Sequence, residues 1–438
     1  MLSIKNSDKL AIQLKEKLHQ LPLNQLASRH GFMKRDPQKI SPIYFLIALF
    51  ITILTGANSL SSFATTIGLM GGFTLSKQAV AKRITYPLVK FLEALLAHSL
   101  SFTIYNKSEP IYQNLASKFN RILLHDSTSI QLDSKLAKHF PGSKNQNHKP
   151  IAVLKIQAIF DLLTETFCKF NLSPFSRNDQ KASTDIIDIV NPGDLVIRDL
   201  GYFVLENFRK IHDKNAYFIS RLKYGTAIFK AGGKMRLNLL NELSSNNKID
   251  INVLLGVNEK LSVRLVAIPV SQQVASMRRR KARRANRCNP SKEHLALLGW
   301  SIFITTVPPS VLSVEEIVKL YKCRWRIETI FKSWKSHFNI KDVPNASVIR
   351  VMTFIYANLV FITLFQTYVF LQFYKQILRE NGKQLSLLKI TRFFNNQIWA
   401  IILYAQQFHR IQEQIFYHCK YESRCQRTNH TQMVMDLG

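Results

Sequence analysis

The chain is short of acid and short of cysteine. Against 60 Lys and Arg it holds only 28 Asp and Glu, a formal charge of +32 over 438 residues. A deficit of acid on this scale points to a polyanionic partner, nucleic acid before an anionic membrane surface. The five cysteines, Cys168, Cys288, Cys323, Cys419 and Cys425, are odd in number and follow no framework. They exclude a disulfide scaffold and suit a reducing cytoplasm. The opening MLSIKNSDKLAIQLKEKL has no apolar core followed by a small-residue cleavage site, so no secretory signal is expected. Internal repeats and low-complexity linkers are also lacking. With 46 % hydrophobic residues the composition is that of a folded chain, and its length suggests two or three domains of roughly 100–200 residues each.

Long uncharged runs are few. Ile43 to Leu54 is too short to cross a bilayer of about 30 Å. Val351 to Tyr374 carries no charge and is flanked by Arg350 and Lys375, but Thr353, Asn358, Gln366, Thr367 and Gln372 dilute it more than a lipid-facing helix tolerates. It is expected to be a core-covering helix, with no membrane partner.

Along the chain, residues 1–110 read as a helical domain. Within it SLSSFATTIGLMGGFTLSKQAVAKRI has the form of a helix, a turn at Gly71 and Gly72, and a second helix capped by Ser76 that carries Lys77, Gln78, Lys82 and Arg83. That is either a helix-turn-helix presenting these four residues to DNA or an ordinary helix pair of a bundle. Residues 115–224 alternate strand and helix patterns, with RILLHD, KPIAVLKIQAIFDLLTETFCKFNLSP and DLVIRDLGYF as strands. Residues 225–298 form a β-rich insertion that includes the basic block Arg278, Arg279, Arg280, Lys281, Arg283, Arg284 and Arg287. Residues 299–345 resume the α/β pattern, and 346–438 are helical. The whole is an α/β protein with a mixed sheet covered by helices.

Acids at strand ends are the natural catalytic candidates in such a sheet. Asp126 ends RILLHD, Asp199 ends LVIRD, and Glu328 lies in the helix after the last strand. If the three converge they need a counter-ion, because like charges raise each other's pKa, and an all-oxygen set selects Mg²⁺ or Mn²⁺. Two such ions suit phosphoryl transfer. Taken singly, an Asp at a strand end is more often a turn or capping residue. The stretch VEEIVKLYKCRWRIETIFKSWKSHF reads as one helix in which Tyr321, Arg324, Glu328 and Lys335, spaced by 3, 4 and 7 residues, share a stripe. Arg324 and Glu328 alone are explained as a helical i, i+4 pair. His418, Cys419, Cys425 and His430 have spacings that fit no tight zinc finger. His125, Asp161 and Asp179 are weaker candidates for the same pocket.

YKCRWRIETIFKSWK resembles the signature helix of DDE transposases of insertion sequence family four. LLHDSTSIQL is similar to that family's first-Asp strand, GDLVIRDLGYF to its second-Asp strand and turn, and LGWSIFITTVP to the strand before the signature helix. Leu200 departs from the family, which more often has Arg in this turn. The resemblance implies a ribonuclease H-like catalytic domain with a β-rich insertion before the last catalytic helix. It implies Asp126, Asp199 and Glu328 as ligands of Mg²⁺ or Mn²⁺, two ions in number, and Tyr321, Arg324 and Lys335 as contacts to the transposon end. It further implies a hairpin intermediate with a flipped base stacked on Trp300, and a homodimer holding double-stranded DNA: terminal inverted repeats and target. The expected protein is a cut-and-paste transposase of the cytoplasm, associated with the nucleoid. A related metal-dependent nuclease or an inactive DNA-binding regulator are the alternatives.

Overall fold

The computed structural model describes residues 20–34, 40–105, 111–144, 150–233, 235–285, 289–344, 347–403 and 407–421. Among these residues ten strands form one sheet: β1 (Ile122–Leu132), β2 (Pro141–Lys144), β3 (Pro150–Asp161), β4 (Thr166–Pro174), β5 (Leu195–Arg198), β6 (Tyr217–Arg221), β7 (Ile228–Lys230), β8 (Ile249–Leu255), β9 (Leu261–Pro269) and β10 (Trp300–Thr305). Their order is β2-β3-β1-β5-β6-β10-β9-β8-β7, with β4 also paired to β3. The β1–β5 and β5–β6 pairs are parallel and the others antiparallel. Three antiparallel strands followed by two parallel ones give the mixed sheet that the element pattern predicts, in the ribonuclease H-like form that the resemblance implies.

Strand alternation decides which face each side chain meets. Ile122 and Leu124 of β1, with Leu195 and Ile197 of β5, point into the larger apolar core, whereas Leu123 and Val196 point into the smaller one. One period further, Asp126 and Asp199 fall on the larger-core face. His125 pairs in register with Arg198, and both are buried on the opposite side.

The segment 225–298 does not stand apart from this sheet. Its strand β9 pairs with β10 from Trp300↔Pro269 to Thr305↔Arg264, so β7, β8 and β9 prolong the same sheet. Arg278, Arg279, Arg280, Lys281, Arg283 and Arg284 of the basic block lie on the helix Gln272–Ala285.

The stretch expected as one helix over 314–338 is two, Val314–Lys322 and Trp325–His337. The first begins with a capping box between Ser313 and Glu316. At the junction Arg324 N bonds Tyr321 O, Arg326 N bonds Cys323 O and Ile327 N bonds Arg324 O. These i→i−3 bonds tighten the chain and turn the second helix away from the 100° step that places Tyr321 on the stripe of Glu328.

The uncharged run lies in a helix spanning Val348–Leu364, a π-helical segment Phe365–Phe370 and Leu371–Asn381. It is long and apolar enough to cross a membrane, but most of it is buried within the protein. It packs against the helices Tyr86–Tyr105 and Pro42–Leu54, with Phe361 edge-on to Phe50. Two of its diluting polar residues are internal ties, Asn358 Nδ2 donating to Phe338 O (2.7 Å) and Gln366 Nε2 to Glu165 O (2.9 Å), while Gln372 is exposed.

In the N-terminal region the helix Leu60–Gly71 ends at Gly72 (φ 69°), and Ser76 accepts from Ala79 N to cap Lys77–Ala81. The positive φ suits a residue without Cβ. This second helix is only five residues long, shorter than the sequence pattern suggests, because the chain turns at Lys82 before resuming at Tyr86.

Candidate active site

Asp126, Ser127, Thr128, Asp199, Arg324, Glu328, Phe331, Lys332, Lys335 and Ser336 line one groove of ≈ 540 Å³. Three separate segments bring the three carboxylates there. Asp126 and Asp199 come from adjoining parallel strands, one residue beyond the His125–Arg198 pair. Glu328 comes from the first turn of Trp325–His337, a helix packed across β1.

Asp126 Oδ1 accepts the Ser127 amide (2.8 Å) and its Oδ2 lies 3.3 Å from Arg324 Nη1. Arg324 Nη2 reaches Glu328 Oε1 at 2.8 Å. The carboxylate of Asp199 does not cap the short 3₁₀ turn Leu200–Tyr202 that follows it. Burial pushes the Asp126 carboxyl up to about 6, and the nearby Glu328 and Asp199 add to this against the Ser127 amide and Arg324. A site that resists its own negative charge in this way favours a cation.

Among the described residues no three Asp, Glu, His or Cys side chains stand close enough to hold a metal ion as they lie. Arg324 occupies the space between Asp126 and Glu328. The chemistry of the donor set nevertheless fits a hard divalent cation, since the acids lining this groove offer oxygen alone.

The remaining sequence candidates divide. Lys335 lines the groove, half-buried, and burial lowers its ammonium pKa. Lys332, one turn from Glu328, lines it too and is missing from the Tyr–Arg–Glu–Lys string. Tyr321 is buried against Phe303, with ring centroids 4.9 Å apart, and is absent from the groove lining. Trp300 is half-buried against the smaller core and also lies outside that lining. On the basic helix, Arg278 donates to Trp300 O (2.8 Å) and Ser301 Oγ (3.2 Å), and Arg279 Nε to Leu295 O (3.0 Å). Arg278 thus holds the helix to the start of β10, and Arg279 holds it to the short helix Lys292–Leu297. Arg280, Lys281, Arg283 and Arg284 are exposed, and Arg287 lies outside the described residues. Lys77, Gln78, Lys82 and Arg83 are exposed and away from the groove lining; Lys77 and Gln78 lie on the five-residue helix, whereas Lys82 and Arg83, expected on the same helix, fall in the turn after it. Of the C-terminal His/Cys group, His418 is exposed and Cys419 buried, while Cys425 and His430 lie outside the described residues.

Two supporting clusters escape the sequence. Asp179 Oδ1 accepts from Ser127 Oγ (2.9 Å), Lys155 Nζ (2.9 Å) and Gln157 Nε2 (3.1 Å), which holds its carboxyl below the usual range against the cost of burial. It braces β1 and β3 behind Asp126. Glu165, in the β3–β4 turn, grips Arg326 with Nε at 2.9 Å and Nη2 at 2.6 Å, two residues from Glu328. Neither pairing has a sequence signal, because each depends on which strands adjoin.

Residues 117–364 match the family model described as transposase DDE domain. The chain is similar to the transposase for insertion sequence element IS231B of Bacillus thuringiensis subsp. berliner, 28 % identical over 83 % of this chain and 80 % of that one. It is similar to the transposase for element IS231D of Bacillus thuringiensis subsp. finitimus, 27 % identical over 93 % and 89 %. The transposase for element IS1151 of Clostridium perfringens is 25 % identical over 87 % and 84 %.

Proposed function

Since the chain belongs to the DDE transposase family, we propose that it moves an insertion sequence by cut-and-paste, cutting at the element's terminal inverted repeats and joining the freed ends to target DNA. The enzyme is one of DNA strand cleavage and transfer, and its family works with divalent metal ions. The observation that carries the finer reading is the groove itself: Asp126, Asp199 and Glu328 reach it from three segments, beside Lys332 and Lys335.

In this reading Asp126, Asp199 and Glu328 hold two Mg²⁺ or Mn²⁺ ions, which when bound activate the attacking oxygen and stabilise the leaving one. Lys332 and Lys335 hold phosphates along the groove as point charges, and Arg324 can grip one bidentately. Asp179 and its partners fix the strand that carries Asp126. In the first reaction a water oxygen bonds to phosphorus as the bond to the 3′ oxygen breaks, and a proton is delivered to that oxygen to give the 3′-hydroxyl and a 5′-phosphate. The freed 3′-hydroxyl oxygen then bonds to a phosphorus of the opposite strand as the bond from that phosphorus to the 3′ oxygen of the flanking DNA breaks, which gives a hairpin and a flanking 3′-hydroxyl. Water reopens the hairpin, and the element's 3′-hydroxyl then displaces a 3′ oxygen of the target strand. Trp300 serves as the stacking platform for a base displaced at the hairpin, and Tyr321 supports Arg324 from behind. The exposed Arg280, Lys281, Arg283 and Arg284 bind phosphates outside the groove, as do Lys77, Gln78, Lys82 and Arg83 in the N-terminal region. A homodimer pairs two ends, in the cytoplasm at the nucleoid.

The test is to incubate the protein with Mg²⁺ and supercoiled DNA bearing candidate ends, then analyse products. Hairpin ends and joined strands support the reading. Nicking with no joined product leaves a nuclease, and no cleavage under any divalent ion leaves a DNA-binding regulator.

A further inference from the structure

Arg324 holds its acids differently from the other paired arginines that line the interior. Arg121, Arg264 and Arg326 each direct Nε and a terminal nitrogen at one carboxylate, Asp194, Asp250 and Glu165 respectively. That side-on fork is the strong form of the pair. Arg324 spreads over two acids with single contacts, 3.3 Å to Asp126 and 2.8 Å to Glu328. Its Nε is buried without a hydrogen-bond partner. A cation held in this way fills a charge deficit without filling its own donors, and it stands where the first and third carboxylates face each other. Its backbone lies at the junction of two helices, and its side chain lines the groove with Lys332 and Lys335.

We infer that Arg324 is the resident counter-ion of the carboxylate site: a divalent cation displaces its guanidinium, which is thereby released to a DNA phosphate in the same groove, so that metal and DNA bind with positive coupling. The inference rests on the reading of Asp126, Asp199 and Glu328 as metal ligands. A divalent ion among the three acids repels the guanidinium and takes its partners, which leaves a desolvated cation in need of an anion. A phosphate offers the planar double acceptor that the fork prefers. Without the ion, the two acids keep Arg324 from the DNA. By linkage, whatever factor the metal adds to DNA affinity the DNA adds to metal affinity.

The experiment uses the full chain stripped of metal. Mn²⁺ binding without DNA is followed by the electron paramagnetic resonance signal of free Mn²⁺ for wild type, Arg324→Gln and Arg324→Lys. Affinity for an end duplex is measured by gel shift with and without Ca²⁺ at constant ionic strength. Removing a competing cation should tighten Mn²⁺ binding by Arg324→Gln about five-fold or more, the lower range of site-to-site coupling, with Arg324→Lys closer to wild type. Ca²⁺ should tighten DNA binding by the wild type and leave Arg324→Gln unchanged. If Arg324→Gln binds Mn²⁺ no better than a wild type that binds it normally, the inference falls and the metal-site reading stands. If neither wild type nor Glu328→Gln binds Mn²⁺, both fall. Should Arg324→Gln not fold, the wild-type DNA arm decides, and a DNA affinity indifferent to Ca²⁺ overturns the inference.

Discussion

Glu165 and Arg326 form a buried, two-pronged ion pair across 161 residues of sequence, closing on one another at 2.6 Å. Glu165 holds a left-handed backbone (φ 54°) to do so, and its carbonyl accepts from Gln366 in the π-helical segment. The pair fastens the β3–β4 turn, the start of the Glu328 helix and the long C-terminal helix at one point.

Replacing Glu165 with Ala should therefore lower stability by about 3–5 kcal/mol, the range for leaving one member of a buried pair uncompensated. Urea denaturation of the two proteins measures it. A loss below about 1 kcal/mol, as for a surface pair, would show that Arg326 finds another partner.

Glu328→Gln keeps size and helix propensity but removes a charged oxygen from the groove. End binding by gel shift should persist while Mg²⁺-dependent cleavage disappears. Cleavage near the wild-type rate would reduce Glu328 to a helical partner of Arg324.

On the basic helix, neutralising the exposed Lys281, Arg283 and Arg284 should flatten the salt dependence of DNA binding by about 0.9 in slope for each phosphate no longer neutralised. Arg278→Ala should behave otherwise, because its guanidinium is engaged with Trp300 O and Ser301 Oγ. It should destabilise the protein and leave the slope as it was. Binding titrations between about 50 and 200 mM salt, where a slope of this kind is read, separate the two.

Asp161 gives a pH dependence with a definite sign. It is buried beneath the β3–β4 turn and accepts from the amides of Ile122 and Leu163 and from Thr164 Oγ1, yet burial dominates and lifts its carboxyl to about 6. The folded value exceeds the unfolded one of about 3.9. Its contribution to stability is therefore complete below about pH 4 and is lost as pH rises through about 6. Relative to Asp161→Asn, which does not titrate, the wild type should lose stability across this window, as read from urea midpoints at several pH values. A difference between the two that does not change with pH would contradict the assignment.

How much of this is legible in the sequence depends on distance along the chain. LLHD and LVIRD mark Asp126 and Asp199 as candidates unaided, because an acid closing a buried apolar run is conspicuous. Asp199 does follow the end of β5, whereas β1 runs on past Asp126 to Leu132, its polar residues still paired with β3. The single-helix reading of 314–338 misplaces Tyr321, because helical periodicity does not reveal i→i−3 bonds at a junction. Arg278 and Arg280 look alike in the sequence, and only the fold shows which of them meets a carbonyl and which faces solvent. The clasp between Glu165 and Arg326 and the brace around Asp179 depend on strand order, which local pattern does not encode. The uncharged run of 351–374 is readable as a core helix from its polar residues, although their partners, Phe338 O and Glu165 O, are not.

The pairing of β9 with β10 means that 225–298 is no detachable cassette. Cutting it out to make a smaller enzyme would strip β10 of a neighbour and leave a row of open amides and carbonyls at the margin of the sheet. Such a margin recruits strands from other molecules, so the shortened protein should leave solution as aggregates before its chemistry could be assayed. A trimmed version would first need that edge sealed, with a lysine or proline set into the outer side of β10.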